Sequence, residues 1–274
     1  MTISTAIMFI AILYIFGNNI PPKKDAAFTS TTSARANHSS QVVSFSNLLV
    51  SAKKEVSSVA AQKIAALERK ISLIQDSSKA ILFFDSLAKV WEQEKHQEIA
   101  AQYILFSGKF GNSEKKLTFA AQLFLKLADA NQNEGIRSWE AKQAMFGFQQ
   151  VIALNENNES AKTGLAQCYL GTGETMKGIL MLREVAENNP QNVDANLLLG
   201  QQGIVSGQLD KAQKRFEKVL QLAPNNVEAM LGLAEVMKSK GDMQKGIDLL
   251  QKAKKTMNSP EFSKDIDQYI NTFK

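Results

Sequence analysis

Glycine returns at Gly173, Gly207 and Gly241, leucine at Leu165, Leu199 and Leu233, and a small residue follows each leucine at Ala166, Gly200 and Ala234, so each landmark recurs after 34 residues. Gly178, Ala212 and Gly246 keep the same interval, as do Leu182, Phe216 and Leu250. Pro190 returns as Pro224, and Asn258 takes the third slot ahead of Pro260. A period of this length marks a two-helix unit that cannot bury its apolar face alone, so copies stack and each covers the next. Small residues let the two helices of a pair approach, while the leucines and the phenylalanine fill the layer between pairs. Three units follow, 159–192, 193–226 and 227–260.

The order of these residues resembles the tetratricopeptide-repeat family, whose large-small pair, small residue, aromatic or leucine and closing proline occupy the same places. The resemblance implies an all-α chain folded as a right-handed α-solenoid of antiparallel helix pairs. The unit before the three keeps its second helix, with Ala144, Phe148 and Val151, but has about four extra residues around Asn131 to Ser138 when set against the 34-residue period. After the last unit, Ser259, Pro260 and Glu261 start a helix with Phe262, Ile266, Tyr269, Ile270 and Phe273 on one side, and residues 261–274 are expected to cap the stack.

In proteins of this family the first helices of the pairs line a concave groove, and the resemblance places Thr163, Gln167, Leu170, Leu197, Gln201, Ile204, Leu231, Glu235 and Lys238 there. Chaperone-binding members hold a C-terminal carboxylate with a lysine and asparagine clamp. The matching positions here are Thr163, Gln167, Leu197, Gln201, Leu231 and Glu235, which argues against that ligand. A groove of amides and aliphatics suits an extended peptide or a helix laid along it.

Upstream, Phe45, Leu49, Ala52, Val56, Ala60, Ile64, Leu67, Ile71 and Ile74 are three or four residues apart throughout, which predicts one long amphipathic helix over 44–75. Asp76, Ser77 and Ser78 break it and cap a second helix carrying Ile81, Phe84, Leu87, Ala88 and Trp91. Further helical faces run from Ile99 to Phe106 and from Leu117 to Ala130, separated by a turn with Gly108, Gly111 and Asn112 and with Ser113 as a cap. Residues 76–158 are thus expected to form degenerate versions of the later pairs.

Met1 to Pro22 carries no charged side chain and includes a dense apolar run from Ile7 to Phe16. Ile3 to Ile20 spans about 18 residues, just short of the ~30 Å hydrocarbon layer, so residues 1–22 are expected to be a single transmembrane anchor. A cleaved signal peptide is the rival, but no small-x-small cleavage site stands out. Residues 23–43, rich in Ser, Thr and Ala, are expected to be a flexible linker. Lys23 and Lys24 point the repeats inward by the charge rule, whereas the linker has the character of an exported tether; a single-pass protein with periplasmic repeats is the expectation taken here. With its anchor included, the chain also resembles bacterial membrane-anchored proteins carrying such repeats, a likeness that supplies no activity.

Chemistry finds little to work with. The two histidines, His38 and His96, cannot build a nucleophilic triad or a two-histidine metal helix. Glu92, Glu94 and Glu98 cluster on a helix surface, where such charges usually face water. Cys168 lies between apolar neighbours as a buried thiol. Gly171 to Thr175 lacks the preceding strand and the Gly-Lys-Ser/Thr ending of a phosphate loop, and its register makes Gly173 a turn within a repeat. The +5 net charge is spread among acids rather than gathered in a block, so nucleic acid is not expected. The triplets Asn37-His38-Ser39 and Asn158-Glu159-Ser160 fit a glycosylation pattern that arises often by chance. The expectation is a non-enzymatic, cofactor-free, membrane-tethered scaffold that binds another protein and no small-molecule substrate. Its rivals are a self-associating structural component and an accessory subunit of an envelope assembly or secretion complex.

Overall fold

The computed structural model describes residues 43–74 and 77–273, and every regular element among them is helical. The anchor expected at 1–22 and all but the last residue of the linker lie outside the described residues. No helix among the described residues is long and apolar enough to cross a membrane. The chain divides into two compact units between Gln143 and Ala144, rather than at 158/159 where the repeat pattern strengthens.

The first unit holds α1 (Phe45–Ala52), α2 (Ser58–Leu73), α3 (Ser77–Gln93), α4 (Gln97–Phe110), α5 (Glu114–Ala130) and the opening half of α6 (Glu134–Leu154). The single long helix expected over 44–75 is therefore two helices. Ser57 causes the break: its hydroxyl accepts from Ala60 N at 3.2 Å and caps α2. The same residue is tied to the turn that follows α3, because its N–H and hydroxyl each donate to the Glu94 carboxylate at 3.0 Å. Val56, inside the interruption, still packs on the core built around Ile64, Leu87, Trp91 and Ile99, which is why the apolar spacing runs through the break unchanged. The turns after α3 and α4 use left-handed residues, Lys95 (φ 66°) and Asn112 (φ 44°). Ser113 caps α5 as expected, accepting from Lys116 N at 3.4 Å.

The second unit holds the remainder of α6, then α7 (Glu159–Gly171) with α8 (Thr175–Asn188), α9 (Val193–Val205) with α10 (Leu209–Leu222), α11 (Val227–Ser239) with α12 (Met243–Met257), and the closing α13 (Pro260–Ile270) with a short 3-10 turn. The extra length ahead of the first full repeat is taken up in α6, which runs for 21 residues where α8 and α10 run for 14.

Each pair starts and turns by the same device. Asn158, Asn192 and Asn226, 34 residues apart, cap the first helices, and each side-chain oxygen accepts a backbone N–H three residues on at 2.8 Å. Asn158 thus has a structural use within its glycosylation-like triplet. Gly173, Gly207 and Gly241 stand at φ 86°, 70° and 82°, left-handed values that a side chain would resist. Gln208 N donates to Gly203 O at 2.8 Å and Asp242 N to Met237 O at 2.9 Å, closing the helix ends around those glycines.

Between pairs the packing alternates. Phe148 and Phe216 are fully buried beneath glycines: a Cβ built on Gly164 would lie 2.3 Å from the Phe148 ring, and one on Gly200 or Gly232 would lie 2.8 or 2.4 Å from the Phe216 ring. At the intervening layers Leu182 packs with Leu198, and Leu250 with Ile266. A large ring against no side chain, then leucine against an aliphatic, fills successive layers to similar volume.

Candidate binding groove

The first helices of successive pairs are direct neighbours, α7 beside α9 and α9 beside α11. Residues 34 apart therefore form rungs across them. Of the nine residues expected in the groove, Gln167, Leu170, Gln201, Ile204, Leu231, Glu235 and Lys238 are half-buried, and Leu170, Ile204 and Leu231 also pack against the cores between helices. Thr163 and Leu197 are only 5% and 7% exposed and belong to the packing instead. Leu197, on the same side of α9 one turn before Gln201, is covered by the core of Phe216 and Leu233. The Thr163 hydroxyl is buried without a hydrogen-bond partner.

Two residues of this surface escaped the sequence reading. Tyr269 and Thr272 stand 34 residues beyond Glu235 and Lys238, so α13 adds one more first helix to the row. The Tyr269 hydroxyl donates to the Glu235 carboxylate. Lys238 Nζ donates to the Thr272 hydroxyl at 2.8 Å and lies 4.9 Å from the centre of the Tyr269 ring. The spacing that located the other rungs was the available signal. On the rung Gln167, Gln201, Glu235 and Tyr269, the row changes from amide donor-acceptors to a carboxylate held by a phenol.

Other candidates are accounted for by packing. Cys168 is buried, 2% exposed. His96 precedes α4 with its ring edge-on to Trp91 at 5.5 Å, and its nitrogens lie 3.8 Å from Glu55 and 3.5 Å from Glu98. Glu94 is engaged with Ser57. No group of three or more His, Cys, Asp or Glu side chains that could hold a metal ion occurs among the described residues.

Ser107, Lys116 and Asp85 form a hydrogen-bonded cluster: the hydroxyl donates to Asp85 at 2.6 Å and accepts from Lys116 Nζ at 2.9 Å. Ser107 has no exposed surface in α4, so the cluster ties α3, α4 and the start of α5 together rather than facing a ligand.

Sequence reasoning also missed Glu140, a carboxyl in α6 that is 2% exposed. Burial pushes its pKa up to about 7, against the pull of the Asn131 amide, which donates to both oxygens at 3.3 and 3.2 Å; the charge of Glu98 adds to the rise.

Residues 204–263 match the family model described as tetratricopeptide repeat. No curated protein matches the sequence. Among solved structures the chain is similar to TTC0263, a thermophilic tetratricopeptide-repeat protein of Thermus thermophilus, with TM-score 0.52 and 17% identity over 71% of this chain and 98% of that one. It is similar also to PilW, described as a type IV pilus biogenesis factor, with TM-score 0.51 and 16% identity over 84% and 100%. MamA of Desulfovibrio magneticus RS-1, from residue 41 to its end, matches with TM-score 0.50 and 18% identity over 66% and 96%. Identities this low establish the fold alone. With the 34-residue register, the glycine turns and the family match in agreement, this chain carries tetratricopeptide repeats.

Proposed function

We propose that the chain is a protein-protein interaction scaffold, tethered to a membrane through residues 1–22, that holds an extended peptide or a helix of a partner protein across the first helices of its pairs. The observation that carries this reading is the row of half-buried, mostly polar rungs on adjacent helices, from Gln167 through Gln201 to Glu235. Amide side chains at regular intervals can pair with the backbone of an extended segment, and Leu170, Ile204 and Leu231 beside them can take its apolar side chains. The repeats are proposed to lie on the periplasmic side. The apolar, uncharged composition of residues 1–22 supports the tether.

A photo-crosslinking residue placed at Gln201, in cells carrying the full chain with a C-terminal tag, tests the groove. A discrete adduct with another protein, absent when the same group sits at Lys252 on α12, is the expected result. Adducts solely with a second copy of the chain would replace this reading with self-association. Protease protection of the tag in the same strain tests sidedness: digestion after the outer barrier is opened is expected, and protection until the inner membrane is broken would place the repeats in the cytoplasm.

A further inference from the structure

Helix α9 has a second working face. Leu199 and Gly203 lie two residues to either side of Gln201, which at about 100° per residue turns them roughly 160° away from the rung. They floor a hollow walled by Ile179 and Arg183 of α8 and by Lys211 and Arg215 of α10. Three cationic side chains thus converge on one depression behind the proposed groove.

Their partners are neutral. Arg215 Nη1 donates to Asn196 Oδ1 at 2.7 Å, and Asn196, 1% exposed, is itself held by donation to the carbonyls of Asn192 at 2.7 Å and Pro190 at 3.2 Å. The guanidinium is therefore fixed in direction while its charge stays uncompensated. Lys211 Nζ donates to the Gln208 side-chain oxygen at 2.7 Å, again a neutral group. Arg183 is exposed. Elsewhere in the same unit Lys162, Lys177, Lys240, Lys245 and Lys254 each pair with a carboxylate, whereas none of these three does among the described residues. An oriented arginine fork with unpaired cations beside it is suited to carboxylates, which it can hold through two parallel hydrogen bonds.

The surroundings are apolar as well as basic. Met176 and Leu180, on the same face of α8 as Ile179 and Arg183, are 68% and 57% exposed. We propose that this face is a second docking site, for a segment of a protein partner in which acidic residues alternate with apolar ones. Its carboxylates sit among Arg183, Lys211 and Arg215, and its apolar side chains cover Met176 and Leu180. The groove around Gln201 stays open on the other side, so one repeat can hold two segments at once.

Fluorescence anisotropy with a labelled Leu-Glu-Glu-Leu-Glu-Glu peptide and the full-length chain in mild detergent tests this. Saturable binding is expected, weakened about tenfold or more in the doubly substituted R183E/K211E chain and by raised salt. The same charge change made elsewhere, K252E/K255E, is expected to leave affinity within about twofold, as is Gln201→Ala in the groove. Circular dichroism melting shows that the variants remain folded, and R183Q/K211Q repeats the test without charge reversal. Absence of saturable binding, equal losses in both charge-reversed chains, or tighter binding of a single-stranded oligothymidylate that depends on Arg183 and Lys211 would each overturn the proposal. Loss through Gln201→Ala alone would assign the peptide to the groove and remove the second site.

Discussion

Tyr269 donates its hydroxyl to the carboxylate of Glu235, a residue one full 34-residue period earlier in the chain. The bond joins the last helix to the first helix of the preceding pair; within α13 Ile266 alone is buried, with Phe262, Tyr269 and Ile270 half-buried against the same cluster. Replacing Tyr269 by Phe should therefore cost about 1 kcal/mol, the usual worth of one hydrogen bond. Amide exchange in α13 should quicken while that in α9 and α10 is unchanged. Unaltered exchange in α13 would show that the cap is held by Ile266 and the Lys254–Asp267 ion pair instead.

Gly232 sits under the ring of Phe216 with no room for a side chain. Alanine is the better helix former, yet Gly232→Ala should destabilise by about 1–3 kcal/mol, the range for overfilling a packed core. Gly232→Leu should cost at least as much, and adding Phe216→Leu to it should recover much of that loss, since the pair recreates the Leu182 and Leu198 layer. Urea denaturation of these variants beside the parent checks this through the midpoints, and a double variant no better than Gly232→Leu would sink it.

Two glycines of one turn should respond oppositely. Gly173 stands at φ 86°, so Gly173→Ala should cost about 1 kcal/mol. Gly171 ends α7 with nothing within 4 Å of where a Cβ would lie, so Gly171→Ala should be neutral or stabilise by up to about 1 kcal/mol. Thermal melts of both, read as the difference between them, decide the matter.

Glu140 predicts a pH dependence. Its folded-state carboxyl, raised from 4.5 to about 7, binds a proton more tightly than the unfolded one, so it stabilises the fold fully below pH 4.5 and that stabilisation is lost as pH rises through 7. Glu140→Gln keeps an acceptor for Asn131 without the charge. The variant should be the more stable chain at pH 8, with the advantage shrinking toward pH 4.5. Parallel stability curves for the two chains across that window would rule out the buried carboxyl as the cause.

The repeats were legible because a turn glycine and its neighbours at a fixed spacing leave few alternatives: Gly173, Gly207 and Gly241 adopt the conformation that their recurrence implied. The break at Ser57 was not, since Val56 and Ala60 keep helical spacing across it and the carboxylate that holds Ser57 in its capping place, Glu94, lies 37 positions away. In the candidate groove, periodicity assigned residues to one side of each helix but not to a depth. Leu197 and Gln201 are one turn apart, and only the packing of the next pair decides that the first is buried. Tyr269 went unassigned because its helix was read as a closing cap, although it keeps the register of Glu235.

The alternation of layers also gives the array a parity. Removing residues 193–226, one period, would set Leu182 against Gly232 and leave a void where the Phe216 ring had been. Removing 159–226, two periods, would set Phe148 over Gly232, a match of the kind it already makes with Gly164. A stack built on this rule shortens or lengthens without damage in steps of four helices, not two.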